Sequence, residues 1–501
     1  ATWYLEDGDI TVIANENGQS VKQGSNSAVA DSDTVITQRD SEKATDNTIT
    51  VSTTDDTTAN ITIEDVNINS YGDAIDVGSS GANITLEGDN KLNSEYGSGL
   101  HVSDGDVTIT GSGSLEAGSK NDSNNNAAIG SHENEAMSGD ITIGGDAQVT
   151  AVSRDDGAGI GSGDMGEMSG DITIGDNAQV TAWSETGGAG IGSGRESNMS
   201  GNITIGGSAQ VTAGSNSETA GIGSGNNGVF TSTGRVVIRD SAKVTAIGEN
   251  EGAGIGTGED ELMAGMIIIQ DNAQVTAIAG DRAAAIGSDN LDEMTGTIII
   301  IGNARVTTGI LDDDDVYFDY NTKEIKYTLD ENATGYIGDS KYSNHESDEG
   351  HYIIGPDVTI NGISGSDIEA LKDYINMRLS GENHDGEPEN LTKLDVRSEN
   401  GEFTVTAEGE GAVEKILYGG SENVPTAPGT YPVTCVVRIG EETIEFQIDT
   451  YVVPEPAPQP EPMAHHTRIQ LYRVADKQGR SIAYKAVQKG GVLTITTDEK
   501  E

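Results

Sequence analysis

The 501-residue sequence predicts an all-β fold, a right-handed parallel β-helix with 23- and 31-residue coils, followed by a short helix and a small β-sandwich. Three observations predict it: a strand motif that recurs every 31 residues, glycine at 67 positions, and almost no helical periodicity. Each glycine costs a helix interior about 1 kcal/mol relative to alanine, so a chain this rich in it is not mainly helical.

The 31-residue repeats occupy 127–309. Ile129, Ile160, Ile191, Ile222, Ile255 and Ile286 mark one short strand per unit, and Val149, Val180, Val211, Val244, Val275 and Val306 mark another. The spacing is 31 residues with one step of 33, and the two extra residues fall in the loop containing Phe230. Upstream the period shortens to 23, with Ile61–Ile63, Ile84–Leu86 and Val107–Ile109 as equivalent strands. A coil of that length holds three short strands and three corners, and the usual crossover preference makes it right-handed. Alternation points Ile172, Ile174, Val180 and Ala182 inward and Thr173 outward. Met137, Met168, Met199, Met263 and Met294 each precede the apolar strand by four residues and read as core filling beneath a loop. The β-helix is predicted over 1–363, with an aromatic and acidic end region at 310–363.

Composition then shifts. Residues 127–309 contain Trp183 and Phe230 but no tyrosine, whereas six tyrosines and Phe318 lie from Tyr317 to Tyr352, just after Asp312 to Asp315. Ser366 to Leu379 has a serine cap and an Ile/Leu stripe, predicting a capping helix within a connector at 364–390. Residues 391–453 alternate as strands and look like the small Ig-like modules of bacterial surface proteins. Pro454 to Pro462 reads as a stiff linker. The tail, 463–501, has seven basic and four acidic residues and two expected strands, Arg468 to Val474 and Val492 to Thr497.

Gly157 to Gly163 (GAGIGSG) with Gly170 to Ala182 (GDITIGDNAQVTA), and upstream Asp104 to Ala117 (DGDVTITGSGSLEA), resemble the repeats of large Firmicutes surface proteins. Some members of that group are polysaccharide-lyase-like carbohydrate-binding β-helices. The resemblance covers roughly 45–310. It implies attachment to a Gram-positive bacterial cell surface, glycan binding and Ca²⁺ binding, without assigning residues to either ligand.

Charge narrows the partners. A formal net charge of −55 repels the phosphate backbone, so no nucleic acid is expected as a partner. No apolar run reaches the length of a membrane span. Cys435 is the one cysteine, so an intrachain disulfide is excluded. Neither a signal peptide nor a sorting signal is in view, and the opening at Ala1 reads as a processed or trimmed chain. His101 and His132 have no recognisable partner motif, and the scattered histidines lack zinc spacing.

The expected function is a non-catalytic, extracellular adhesin or scaffold that binds glycans through the β-helix, its partners being host or plant glycans or host surface proteins. A polysaccharide lyase or hydrolase acting on acidic glycans is the first alternative, and ice binding through the Thr150 to Thr307 ladder is the second. Trp183, Tyr317 and Tyr320 are the candidate sugar-stacking residues, with Trp183 expected on an exposed corner. No cofactor is expected except Ca²⁺, for which Asp312, Asp313, Asp314 and Asp315 are the candidate ligands.

One outward stripe changes character, from Thr142, Thr173 and Thr204 to Val237, Ile268 and Ile299. Three stacked branched residues form an apolar strip, expected to be covered by the Tyr-rich segment, by helix 366–379 or by another protomer.

Overall fold

The structure is a computed structural model of the chain. It describes residues 1–54, 57–259, 262–289, 294–339, 350–371, 374–375, 391–399, 402–454, 475, 480, 484–489 and 492–497.

Successive repeat units lie on one another as parallel strands, an all-β arrangement compatible with a parallel β-helix. Among the described residues, equivalent strands form three long sheets of 14, 13 and 12 strands. Units pair like residue to like residue: Gln148 with Gln179 and Gln210, Ile141 with Ile172 and Ile203, Ile160 with Ile191 and Ile222. Each full unit therefore supplies an Ile-Gly strand such as Ile160–Gly161, an apolar strand such as Ile172–Ile174, and a Val-Thr-Ala strand such as Gln179–Ser184. The inward side chains of the last two, Ile172, Ile174, Val180 and Ala182, are buried, and Thr173 and Thr181 face out. β-Branched residues suit these pleated, half-buried strands.

Three columns explain the unusual composition. In the Ile-Gly strands, Gly192 has φ +142° and lies so close to the next unit that a Cβ would sit 1.8 Å from the Gly223 carbonyl oxygen. Only glycine fits there. The methionines stack as a fully buried column, in which Phe230 takes the methionine's place in the unit with the longer loop. Acidic residues tie corners together. The Asp140 N–H donates to the Asp106 carboxylate at 3.0 Å, Asp171 N–H to Asp140 at 2.8 Å and Asn202 N–H to Asp171 at 2.9 Å. Part of the negative charge is thus engaged in binding one coil to the next.

Both ends depart from the parallel pattern. Ile10–Asn15 carries Gly18–Gln23 antiparallel beside it, and that strand pairs antiparallel with Val29–Ala30. Towards the other end, Arg305–Asp319 stacks on Gln274–Ala279, then runs on as a hairpin with Glu324–Leu329. Tyr352 is completely buried in the main core. One helical turn, Ile368–Leu371, is described from the expected 366–379 helix, and the remainder lies mostly outside the described residues. Its cap is Asp367, whose carboxylate accepts the Ala370 N–H at 3.2 Å, and not Ser366, which bonds Ser364 instead.

Leu391–Glu399 extends the sheet of apolar strands, pairing in parallel with His351–Ile354 and antiparallel with Glu402–Gly409. Gly411–Tyr418, Gly429–Ile439 and Glu442–Val453 form a further three-stranded sheet. Cys435 is buried here, and burial pushes its thiol up to about 12. A separate, smaller unit contains the antiparallel pair Tyr484–Lys489 and Val492–Thr497. The expected strand Arg468 to Val474 and most of the proline linker lie outside the described residues.

Candidate binding face

The Val-Thr-Ala face has polar equivalents in the short coils. Ile68, Leu92 and Leu115 point into the core. Between them, Asn67, Lys91 and Glu116 stand in register on the outside, as do Asn69 and Asn93. Parallel pairing sets such columns about 4.8 Å apart, so amide, ammonium and carboxylate groups form a regular array.

Two clefts meet on this face at Glu116. The first, about 300 Å³, is lined by Asp65, Asn67, Asp89 and Lys91 among others. The second, about 180 Å³, lies between Asn93, Lys120 and Arg154 on the coils and Phe318 and Tyr320 on the hairpin. Lys323 of the hairpin reaches Glu116 at 2.6 Å. Arg154 stacks 4.6 Å from the Tyr320 ring centroid, and the Phe318 ring meets Tyr320 edge-on at 5.0 Å. The Tyr320 hydroxyl donates to Glu185, and burial together with that carboxylate raises the phenol's pKa. At a neighbouring corner Tyr71 and Tyr96, from successive coils, are 73% and 52% exposed with ring centroids 4.8 Å apart. The pair belongs to the short coils, outside the long repeats. The equivalence of the strands Asn67–Ser70 and Asp89–Ser94, each followed by a tyrosine within two residues, is the signal that reveals it.

The predicted site residues separate. Tyr320 enters the second cleft, while Tyr317 is 52% exposed on the hairpin and lines neither cleft. Trp183 corrects the expectation of an exposed corner. It is completely buried with Ile247, Ile278, Leu311, Val316 and Phe318, because the hairpin folds over it, and so its ring offers no free face to a sugar. The neighbouring unit has Gly214 in register with it, where a Cβ would meet the indole at 3.1 Å.

Ile268 and Ile299 are buried and Val237 is partly buried, in a cluster with Leu394, Cys435, Val437 and Phe446. Among the described residues the cover is therefore the C-terminal strands from Leu391 onward, and not the Tyr-rich segment or the helical turn Ile368–Leu371. Asp312 is exposed, and the side chains of Asp313, Asp314 and Asp315 lie outside the described residues.

Two histidines that sequence spacing left without partners are brought together. His101 and His132 stack with centroids 3.8 Å apart. Burial opposes a charge on His101, but hydrogen bonds to Asp76 and Glu135 and the nearby Asp73 charge outweigh it and raise the imidazole to about 9. The His132 hydrogen bond holds Asp73 below the usual carboxylate range against its burial. The signal was the register Ile75–Leu100–Ile129, which puts Asp76 beside His101. Elsewhere Asp164 is buried with Oδ1 lacking a hydrogen-bond partner. Burial and the Asp156 charge push it up to about 6.

No helix of the described residues is long and apolar enough to cross a membrane. Comparison with protein-family models, with curated proteins and with solved structures yields no match, so the site is read from its own chemistry.

Proposed function

We propose that this chain is a non-catalytic scaffold of a Gram-positive bacterial surface that binds glycans along the open face of its short coils. Its partners in this reading are host or plant glycans. The stack is read as a right-handed parallel β-helix whose 23-residue coils are followed by 31-residue coils, with an Ig-like module over 391–453. The observation that carries the proposal is the pair of clefts sharing Glu116, which set an aromatic edge at Tyr320 beside regularly spaced Asn, Lys and Glu side chains. Sugars present an apolar face to aromatic rings and hydroxyls to amides and carboxylates, so both parts of such a ligand are provided for. The exposed Tyr71–Tyr96 pair adds a second stacking surface.

The test is a glycan array, followed by titration of the retained sugar into the parent chain and into Tyr320→Ala and Asn93→Ala. Each variant is expected to bind at least about tenfold more weakly, the loss of one stacking or hydrogen-bonding contact. An array that retains no sugar, or variants that bind as the parent does, would refute the proposal.

A further inference from the structure

The stacked histidines occupy the place where the coils lengthen. Asp73 and Asp76 belong to one coil, His101 to the next and His132 with Glu135 to the one after, as the register Ile75–Leu100–Ile129 fixes. On one side of the ring pair, His101 Nδ1 lies 2.8 Å from Asp76 Oδ1 and 3.8 Å from Asp73 Oδ2, and His132 Nε2 lies 2.7 Å from Asp73 Oδ1. On the other side a single carboxylate oxygen, Glu135 Oε2, is 2.7 Å from His101 Nε2 and 3.7 Å from His132 Nδ1.

We propose that Asp73, His101 and His132 bind one transition-metal dication of the zinc class, with Glu135 orienting the His101 imidazole from behind. Two imidazoles and one carboxylate, with a fourth position left to water, make a mixed nitrogen and oxygen donor set that suits zinc or cobalt and is foreign to calcium, which takes oxygen ligands. A ligating histidine almost always gives its second N–H to a carboxylate, a backbone carbonyl or water, and Glu135 stands where that acceptor belongs for His101. The donors are held in place beforehand. The Ser98 N–H donates to Asp73 at 2.7 Å, and the His132 N–H donates to Glu135 at 3.2 Å. Gly97 admits the Asp73 carboxylate, since a Cβ there would lie 2.5 Å from Asp73 Oδ1.

The site is also accessible. The side chain of His132 is 33% exposed and that of Asp76 44%, against 10% for His101. The rings are now parallel within 3°, whereas nitrogen lone pairs lie in the ring planes, so two rings sharing an ion must fan apart. His132 is the side chain with room to turn. On binding, each imidazole gives a nitrogen lone pair to the metal, and protons now held between the rings and Asp73 and Asp76 leave to solvent. The ion would join three successive coils through their side chains.

The experiment titrates the full chain with zinc chloride by calorimetry, and with cobalt(II) followed by visible absorption. The parent is expected to take up one equivalent that His132→Gln and Asp73→Asn do not, and to show the intense visible band of a four-coordinate cobalt site. Glu135→Gln is expected to bind that equivalent 10–100-fold more weakly. Circular dichroism of the partly exposed His132→Gln variant checks that the fold is kept. Equal stoichiometry and affinity in the parent and His132→Gln would overturn the proposal, as would no zinc uptake by the parent or a weak six-coordinate cobalt spectrum, which would place the ion on surface carboxylates.

Discussion

The outward column of the apolar strands is open in one half of the long coils and closed in the other. Thr142, Thr173 and Thr204 remain half-buried, whereas Ile268 and Ile299 are enclosed by the C-terminal strands. The inward positions beside them, Ile or Val throughout, are buried in both halves. The Val-Thr-Ala face repeats the contrast, with Asn93 in an open cleft and Val152, Trp183, Ile247 and Ile278 near or beneath the hairpin. Inward columns thus record stacking alone. Outward columns record whatever lies on top, and they turn apolar where a later segment folds back.

The strongest test of this contrast puts a charge under the cover. Ile299→Asp should cost about 4 kcal/mol or more, because a carboxylate would be buried without a partner. Urea unfolding measures it, and limited proteolysis should show the C-terminal strands released. An unchanged midpoint and digest would mean that the cover contributes nothing. Trp183→Ala should cost about 3–5 kcal/mol, the usual loss for emptying a fully buried aromatic site. The same substitution at a sugar-stacking tryptophan would leave thermal stability alone, so one melting curve separates the two roles.

The next test sets one acid against another. Asp140 and Asp171 accept amide hydrogens, whereas Asp164 is buried with one oxygen unpaired. Its carboxyl keeps a proton up to about pH 6 in the folded chain, but releases it near the ordinary aspartate value of 3.8 when unfolded. The folded state binds the extra proton between those values, so this contribution grows as pH falls from 7 towards 4 and is lost as pH rises through 6. About 1–2 kcal/mol is expected between pH 7 and 4. Asp164→Asn should remove that part of the slope in denaturation curves across the range, and an identical slope would dismiss it. The smallest effect belongs to the open column. Thr173→Ala should change stability by no more than about 0.5 kcal/mol in the same urea assay.

The stacking was legible because it is periodic. The Ile, Val, Gly and Met columns follow from spacing, and the two extra residues near Phe230 mark where the period slips. What lies outside the coils was not. Trp183 is hidden by Leu311 to Ile325, and Ile299 by strands that begin at Leu391, and neither cover repeats. A period states which residues neighbour one another along the stack but contains no information about a non-repeating chain docking across it. The outward apolar stripe from Val237 to Ile299 showed that some cover was needed without showing which. The histidine pair failed for a related reason. Asp76 and His101 are in register, but His132 comes back to them from a loop two residues beyond its strand.

A stack of parallel strands ends in rows of unpaired amides and carbonyls, the template on which fibrils grow. Each of the three long sheets has an antiparallel pairing at one of its ends: Gly18–Gln23 with Ile10–Asn15 and Val29–Ala30, Glu402–Gly409 with Leu391–Glu399, and Ile363–Ser364 with Thr359–Ile360. End-to-end growth needs both ends of a sheet to continue the same parallel register, and an antiparallel pairing at one end of each sheet interrupts it. Trimmed to its coils alone, the chain would present two matching edges on every face and lose its defence against polymerising.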